Sequence, residues 1–120
     1  MKNQITQADL QQFTGSETWY RHALVRDVLY TDGAQFLAER AGAYWLLDEI
    51  ALAQRASPKV AAEAFQVWTL TVADDASAML TCGDGNGETV LAKPIAFTDF
   101  PLNKVTLYFC NQTILLPSEY

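Results

Sequence analysis

A single histidine, two cysteines and a few paired acids are the residues that could supply chemistry in this chain of 120 residues. His22 is the only imidazole, and it follows Arg21 directly. A catalytic histidine needs a serine or cysteine nucleophile beside it, and no spacing in the sequence indicates such a pair. The Gly-x-Ser-x-Gly motif of a nucleophile elbow is absent as well. We therefore predict no catalytic residue and expect His22 to be a structural or surface residue.

The two cysteines, Cys82 and Cys110, each lie in an apolar run with the composition of a strand. A free thiol in such a run usually packs as a small apolar side chain. Two cysteines are too few for a disulfide framework, and with one histidine they do not form a recognisable metal site. We predict no bound metal and no cofactor.

Two acidic segments are typical of turns. Residues 84–88 (Asp-Gly-Asn-Gly-Glu) carry side-chain oxygen atoms at alternate positions, but they lack the ligands and the length of an EF-hand calcium loop. Because no helix follows them, their glycines do not indicate a phosphate-binding loop either. Asp74 and Asp75 lie in the preceding connection. Successive turns of a meander fall at opposite ends of the sheet, so the two segments should not form one carboxylate pair.

Asp48 is the acid whose position is most informative. A helical projection places it among Leu37, Ala41 and Tyr44 on an apolar arc, where an unpaired carboxylate would be costly. Its candidate partners are Arg21, His22 and Tyr44. We therefore predict a polar cluster of these three residues with Asp48. We interpret this cluster as a structural link between the aromatic segment and the helix. If the Asp48→Asn variant were as stable as the parent chain at every pH, that link would be excluded. A catalytic role for Asp48 with His22 is the alternative.

Helix signals dominate the first half of the chain. Thr6 and Asp9 predict a short capped helix to about residue 12, stopped at residues 14–16, and residues 19–30 are rich in aromatic and branched side chains typical of one or two short extended segments. Asp32, with Gln35 three residues later, predicts the start of a mostly buried helix over residues 34–55. Gly42 could divide that helix in two.

Ser57 followed by Pro58 predicts one further short turn of helix. The pattern then changes to strands separated by turn residues, at residues 65–72, 78–82, 89–97 and 104–110, with a fifth short run at 113–116. Short connections favour an antiparallel meander, and Pro94 suits an edge strand or a bulge. The sequence thus predicts one α+β domain over residues 1–120, with N-terminal helices packed on a four- to five-stranded antiparallel C-terminal sheet.

Residues 65–72 carry apolar side chains on both faces, so we expect part of the sheet to be covered twice. One cover is the buried helix. The other is either the N-terminal segments or a second subunit, and this is the sequence's indication of a homodimer.

Composition limits the classes of partner. Fourteen acids against eight bases leave a formal charge of −6, which opposes the phosphate backbone, so we expect no direct binding of nucleic acid. The first residues lack the apolar run of a secretory signal, and no stretch is long enough to cross a bilayer. We therefore expect a cytoplasmic protein that does not bind membranes.

Three segments carry a resemblance, namely residues 19–22 (Trp-Tyr-Arg-His), 30–33 (Tyr-Thr-Asp-Gly) and 44–51 (Tyr-Trp-Leu-Leu-Asp-Glu-Ile-Ala). Together they resemble a family of small bacterial domains of unknown function often found on phages, plasmids and integrated elements. The resemblance implies no established activity and assigns no site residue.

Small acidic proteins of such elements commonly act by binding. The resemblance therefore favours a non-enzymatic protein-interaction protein with a protein partner, such as an inhibitor of a host defence complex of the anti-CRISPR kind. One alternative is a small enzyme or ligand-binding domain with a pocket between helix and sheet near Arg21, His22 and Asp48. Another is a structural subunit of a homo-oligomer.

Overall fold

The computed structural model describes residues 5–14 and 18–120. Within them the helices are α1 (Gln7–Gln11), α2 (Asp32–Ala41), α3 (Tyr44–Ala56) and α4 (Pro58–Ala61), and a 3₁₀ turn covers Pro117–Glu119. The strands are β1 (Trp19–Arg21), β2 (Leu29–Thr31), β3 (Phe65–Val72), β4 (Ala78–Gly83), β5 (Thr89–Ile95), β6 (Lys104–Cys110) and β7 (Thr113–Leu115). No helix within the described residues is long and apolar enough to cross a bilayer.

All seven strands belong to one mixed sheet with the order β1-β2-β7-β6-β3-β4-β5. The predicted sheet of four or five antiparallel strands is therefore wrong, although strands do form in the predicted C-terminal segments. Strands β1 and β2 extend the sheet, and β2 pairs with β7 in parallel, with Tyr30 opposite Ile114. This pairing joins two segments that are far apart in the chain, and strands of three residues are too short to show a periodicity that would predict it.

The hydrophobic core lies between one face of the sheet and helices α2 and α3. Alternate residues of β3 and β4 point inwards, and helical positions spaced three or four residues apart meet them. The fully buried side chains on the two sides include Leu37, Leu46, Leu47 and Ile50 from the helices and Trp68, Leu70, Leu80 and Leu107 from the sheet. Each such side chain contributes about 1.5–3 kcal/mol when it leaves water.

The predicted helix over residues 34–55 is two helices, α2 and α3, and Gly42 separates them. Gly42 adopts a left-handed conformation with φ of 63°, which glycine reaches without the steric cost of a Cβ atom. The start of α2 also differs from the prediction, because the cap is Thr31 rather than Asp32. The Thr31 hydroxyl oxygen accepts a hydrogen bond of 3.2 Å from the Ala34 N–H.

Other local predictions are confirmed. Thr6 and Asp9 form a capping box at α1, and the Ser57 hydroxyl oxygen accepts from the Val60 N–H at the start of α4. Strand β5, which contains Pro94, is an edge strand of the sheet. The predicted stop of the first helix at residues 14–16 falls mainly outside the described residues.

The outer face of the sheet, away from the helices, carries half-buried side chains. Phe65 and Tyr108 pack edge to face at 4.9 Å between ring centroids, and the ring of Tyr120 contacts both. Phe13, just after α1, instead contacts Phe36 of α2. Hence the described N-terminal residues pack on the helical side and do not supply the predicted second cover.

Candidate interaction site around the His22–Asp48 pair

The structure brings two of the four predicted cluster residues into direct contact. His22 lies in the loop after β1 and is only 4% exposed, while Asp48 lies in α3 with its side chain 45% exposed. His22 Nε2 and Asp48 Oδ1 are 2.8 Å apart. The contact joins the β1–β2 connection to the helix, at the position where the projection of α3 required a partner.

The second ring nitrogen of His22 is also occupied. His22 Nδ1 accepts hydrogen bonds from the backbone N–H groups of Leu24 and Val25, at 3.1 and 3.0 Å. Because an acceptor nitrogen carries no proton, these bonds assign the Nε2–H tautomer, which donates to Asp48. The imidazole therefore closes its own loop on one side and holds α3 on the other.

Arg21 and Tyr44, the other two predicted members, bind elsewhere. The Arg21 guanidinium, at the end of β1, donates to the backbone carbonyl of Arg26 in the loop that follows. The Tyr44 hydroxyl donates to Glu39 Oε1 of α2 at 3.0 Å. The predicted cluster is thus one hydrogen-bonded pair, His22–Asp48, flanked by two side chains with separate partners.

Tyr44 belongs to a larger group of side chains that sequence reasoning missed. Tyr20 of β1 and Tyr30 of β2 face each other across the antiparallel pair, and their rings stack at 5.5 Å with 22° between the planes. Three tyrosines and three nearby acids form what we call the tyrosine–carboxylate surface, which consists of Tyr20, Tyr30, Tyr44, Asp32, Glu39 and Asp48. The sequence signal that could have indicated this group is the tyrosine at the centre of each of the two three-residue strands.

The acids of this surface help to raise the pKa of all three tyrosine hydroxyls. Burial raises the pKa of Tyr20, and the charge of Asp32 and a hydrogen bond to it raise it further. Burial likewise raises the pKa of Tyr30, with smaller contributions from neighbouring charges that include Asp48 and Glu39. Burial and the hydrogen bond to Glu39 raise the pKa of Tyr44. The three hydroxyl groups therefore stay neutral and remain hydrogen-bond donors at neutral pH.

The two thiols lie outside this surface, on β4 and β6. Cys82 points into the core from β4, and burial raises the pKa of its thiol to about 12. Burial also raises the pKa of Cys110. Since the thiolate is the nucleophilic form, both side chains are poor nucleophiles at neutral pH.

The acidic turns are internally bonded at opposite ends of β4. Asp75 Oδ1 accepts from the backbone and the hydroxyl of Ser77, and Asp84 Oδ1 accepts from the N–H groups of Asn86 and Glu88. Each carboxylate thus shapes its own turn. Among the residues that the structure describes, no group of three or more His, Cys, Asp or Glu side chains could hold a metal ion.

Four cavities in the described part of the chain lie elsewhere. One of about 220 Å³ lies between α1, β6 and the C-terminal turn, and one of about 310 Å³ lies on the outer face near Val67 and Thr81. Two more lie beside Cys110 and between Trp45 and Phe97. None of these four is lined by Arg21, His22 or Asp48.

A family model matches residues 4–120 and is described as a family of unknown function, DUF6876. Because the match covers nearly the whole chain, the protein belongs to this family. The chain matched no curated protein and no solved structure.

Proposed function

We propose that this protein is a non-enzymatic protein-interaction domain. The observation that carries the proposal is the engagement of His22, whose two ring nitrogens are both occupied by structural hydrogen bonds. A general base must offer a free nitrogen to its substrate, and His22 offers none. The pair of residues most suited to catalysis is used to hold a loop on a helix.

Exposed aromatic and apolar side chains support the binding function. Trp19, Leu24, Tyr44 and Phe97 are between 40% and 71% exposed. Aromatic residues are enriched in the contact surfaces of proteins because they bury a large area with little loss of conformational entropy. With a formal charge of −6, the chain is suited to a partner with a positive surface.

The resemblance to mobile-element domains suggests a more particular form of the proposal, namely inhibition of a host defence complex. In that form the partner would be a subunit of the complex, held in a stoichiometric assembly. The interaction itself is tested first, because it does not depend on the identity of the complex.

The test is capture of a partner from host lysate on the tagged chain, followed by size-exclusion chromatography of the purified pair. We expect a stoichiometric complex, and we expect it to survive in a His22→Ala variant that circular dichroism shows to be folded. The absence of any stoichiometric partner would contradict the proposal. So would a turnover reaction that is abolished in the folded His22→Ala variant.

A further inference from the structure

We infer that the tyrosine–carboxylate surface binds an arginine-bearing segment of a protein partner. This inference rests on the proposed function and names the surface and the chemistry of the partner. The surface joins the edge strand β1 and its neighbour β2 to helices α2 and α3 on the helical side of the sheet, since Tyr30 lies opposite the buried Ile114.

The rings are positioned to receive a planar cation. The stacked pair Tyr20 and Tyr30 offers one aromatic platform, and Tyr44, which is 40% exposed, offers a second. An arginine guanidinium stacks on tyrosine rings through cation–π attraction. The chain itself contains such a contact, because the Arg40 guanidinium lies 5.1 Å above the ring centroid of Phe36.

The carboxylates supply the complementary charge beside the rings. The side chain of Asp48 is 45% exposed, and Glu39 is also exposed. A guanidinium can donate two parallel hydrogen bonds to a carboxylate while its plane rests on an aromatic ring, whereas a lysine ammonium acts as a compact point charge. Rings and carboxylates together therefore favour arginine over lysine.

A phenol also orders one of the carboxylates at the same place. The Tyr44 hydroxyl already donates to Glu39 Oε1, so it holds that carboxylate in place before the partner arrives. An ordered acceptor loses less conformational entropy on binding than a freely rotating one. The surface is thus preorganised for a cation and repels an anion such as a nucleic-acid phosphate.

The direct test is an NMR titration of the ¹⁵N-labelled chain with a blocked peptide Arg-Gly-Arg-Gly-Arg, compared with Lys-Gly-Lys-Gly-Lys at the same ionic strength. We expect amide shifts centred on β1, β2 and the facing turns of α2 and α3, and several-fold tighter binding of the arginine peptide. Equal affinity for the two peptides would overturn the inference. So would shifts centred on another surface, or no shifts at all.

Matched variants separate a specific site from general attraction to an acidic protein. Glu39→Gln and Tyr44→Ala should each weaken binding of the arginine peptide about two- to fivefold. Glu88→Gln removes the same charge from an exposed turn, and Tyr120→Ala removes a 74% exposed tyrosine ring that packs on Phe65, so neither should change the affinity. Equal weakening by Glu88→Gln and Glu39→Gln would overturn the inference.

The captured partner distinguishes failure of this inference from failure of the proposed function. A partner whose binding is lost in the Glu39→Gln/Tyr44→Ala double variant supports both. A partner that binds this folded double variant as tightly as the parent chain overturns the arginine site and leaves the interaction function standing.

Discussion

The amide network of Gln66 allows a quantitative prediction for Gln66→Met, which keeps the side-chain length and removes its polar atoms. Gln66 is fully buried in β3. It exchanges two hydrogen bonds with Gln54 of α3, at 2.8 and 2.9 Å, and its Nε2 also donates to the carbonyl of Val60. Its Oε1 accepts from the indole N–H of Trp68 at 2.9 Å.

The expected loss in the free energy of unfolding depends on which partner of Gln66 is left without a hydrogen bond. Gln54 is only half-buried and also donates to the Ile50 carbonyl, so it can turn toward water. Trp68 is 1% exposed, and its indole N–H would have no acceptor. An unsatisfied buried donor costs about 1–3 kcal/mol, and the other broken bonds add about 1 kcal/mol. We therefore expect Gln66→Met to lower the free energy of unfolding by about 2–4 kcal/mol.

The assay is urea denaturation followed by far-UV circular dichroism. Thermal melts should fall by about 4 °C for each kcal/mol lost, given the typical unfolding entropy of a chain of this length. Gln11→Met, at an exposed position of α1, is the matched control and should change stability by less than about 0.5 kcal/mol.

A double-mutant cycle with Trp68→Phe tests the cause of the loss. Phenylalanine has no indole N–H, so the double variant leaves no orphaned donor at that position. We expect it to be more stable than the sum of the two single losses predicts, by about 1–2 kcal/mol. Fully additive losses would refute the reasoning, as would a Gln66→Met variant as stable as the parent chain.

Three further changes should have measurable effects. Asp48→Ala should cost about 1–2 kcal/mol because the buried Nε2–H of His22 loses its acceptor, and Asp48→Asn should cost less, since its amide oxygen can still accept; equal urea midpoints for all three chains would contradict the link. Glu119→Gln should lower the melting temperature, because its carboxylate accepts from the hydroxyl of the α2 cap and from two backbone N–H groups, and an amide would turn a donor toward them; an unchanged melting temperature would contradict this role. Cys82 and Cys110 should react slowly with a thiol reagent at about pH 8 in the native state and rapidly in denaturant, since burial raises both pKa values; the stability that the neutral Cys82 thiol contributes is complete below about pH 9 and is lost as pH rises toward about 12. Native reaction as fast as the denatured one would refute the burial argument.

Much of the local structure could be predicted because its signals lie within a few residues of one another. The capping box at Thr6 and the proline at the start of α4 are short motifs whose hydrogen bonds close locally. Asp48 was recognised as needing a partner because helical periodicity alone places it beside apolar positions. Its contact with His22 was one of three candidates, and only the fold selected it.

The parts that could not be predicted are contacts between distant segments. The tyrosine–carboxylate surface needs the register of β1 against β2 and the place of both strands beside α2, and neither is encoded in a local pattern. The Thr31 cap was misplaced by one residue for a related reason. Its hydroxyl is held by Glu119 from the far end of the chain, a contact that the sequence around Thr31 does not show.

By itself, the sequence determined where helices and the longer strands form, where the turns fall and that the chain is acidic, because propensity, periodicity and charge are properties of neighbouring residues. Only the tertiary structure decided that the sheet has seven strands with a parallel pair at β2 and β7, and that three tyrosines share one surface with three carboxylates. Those features arise from burial of apolar area shared between segments far apart in the chain. Such burial is a property of the whole assembled core and not of any one segment.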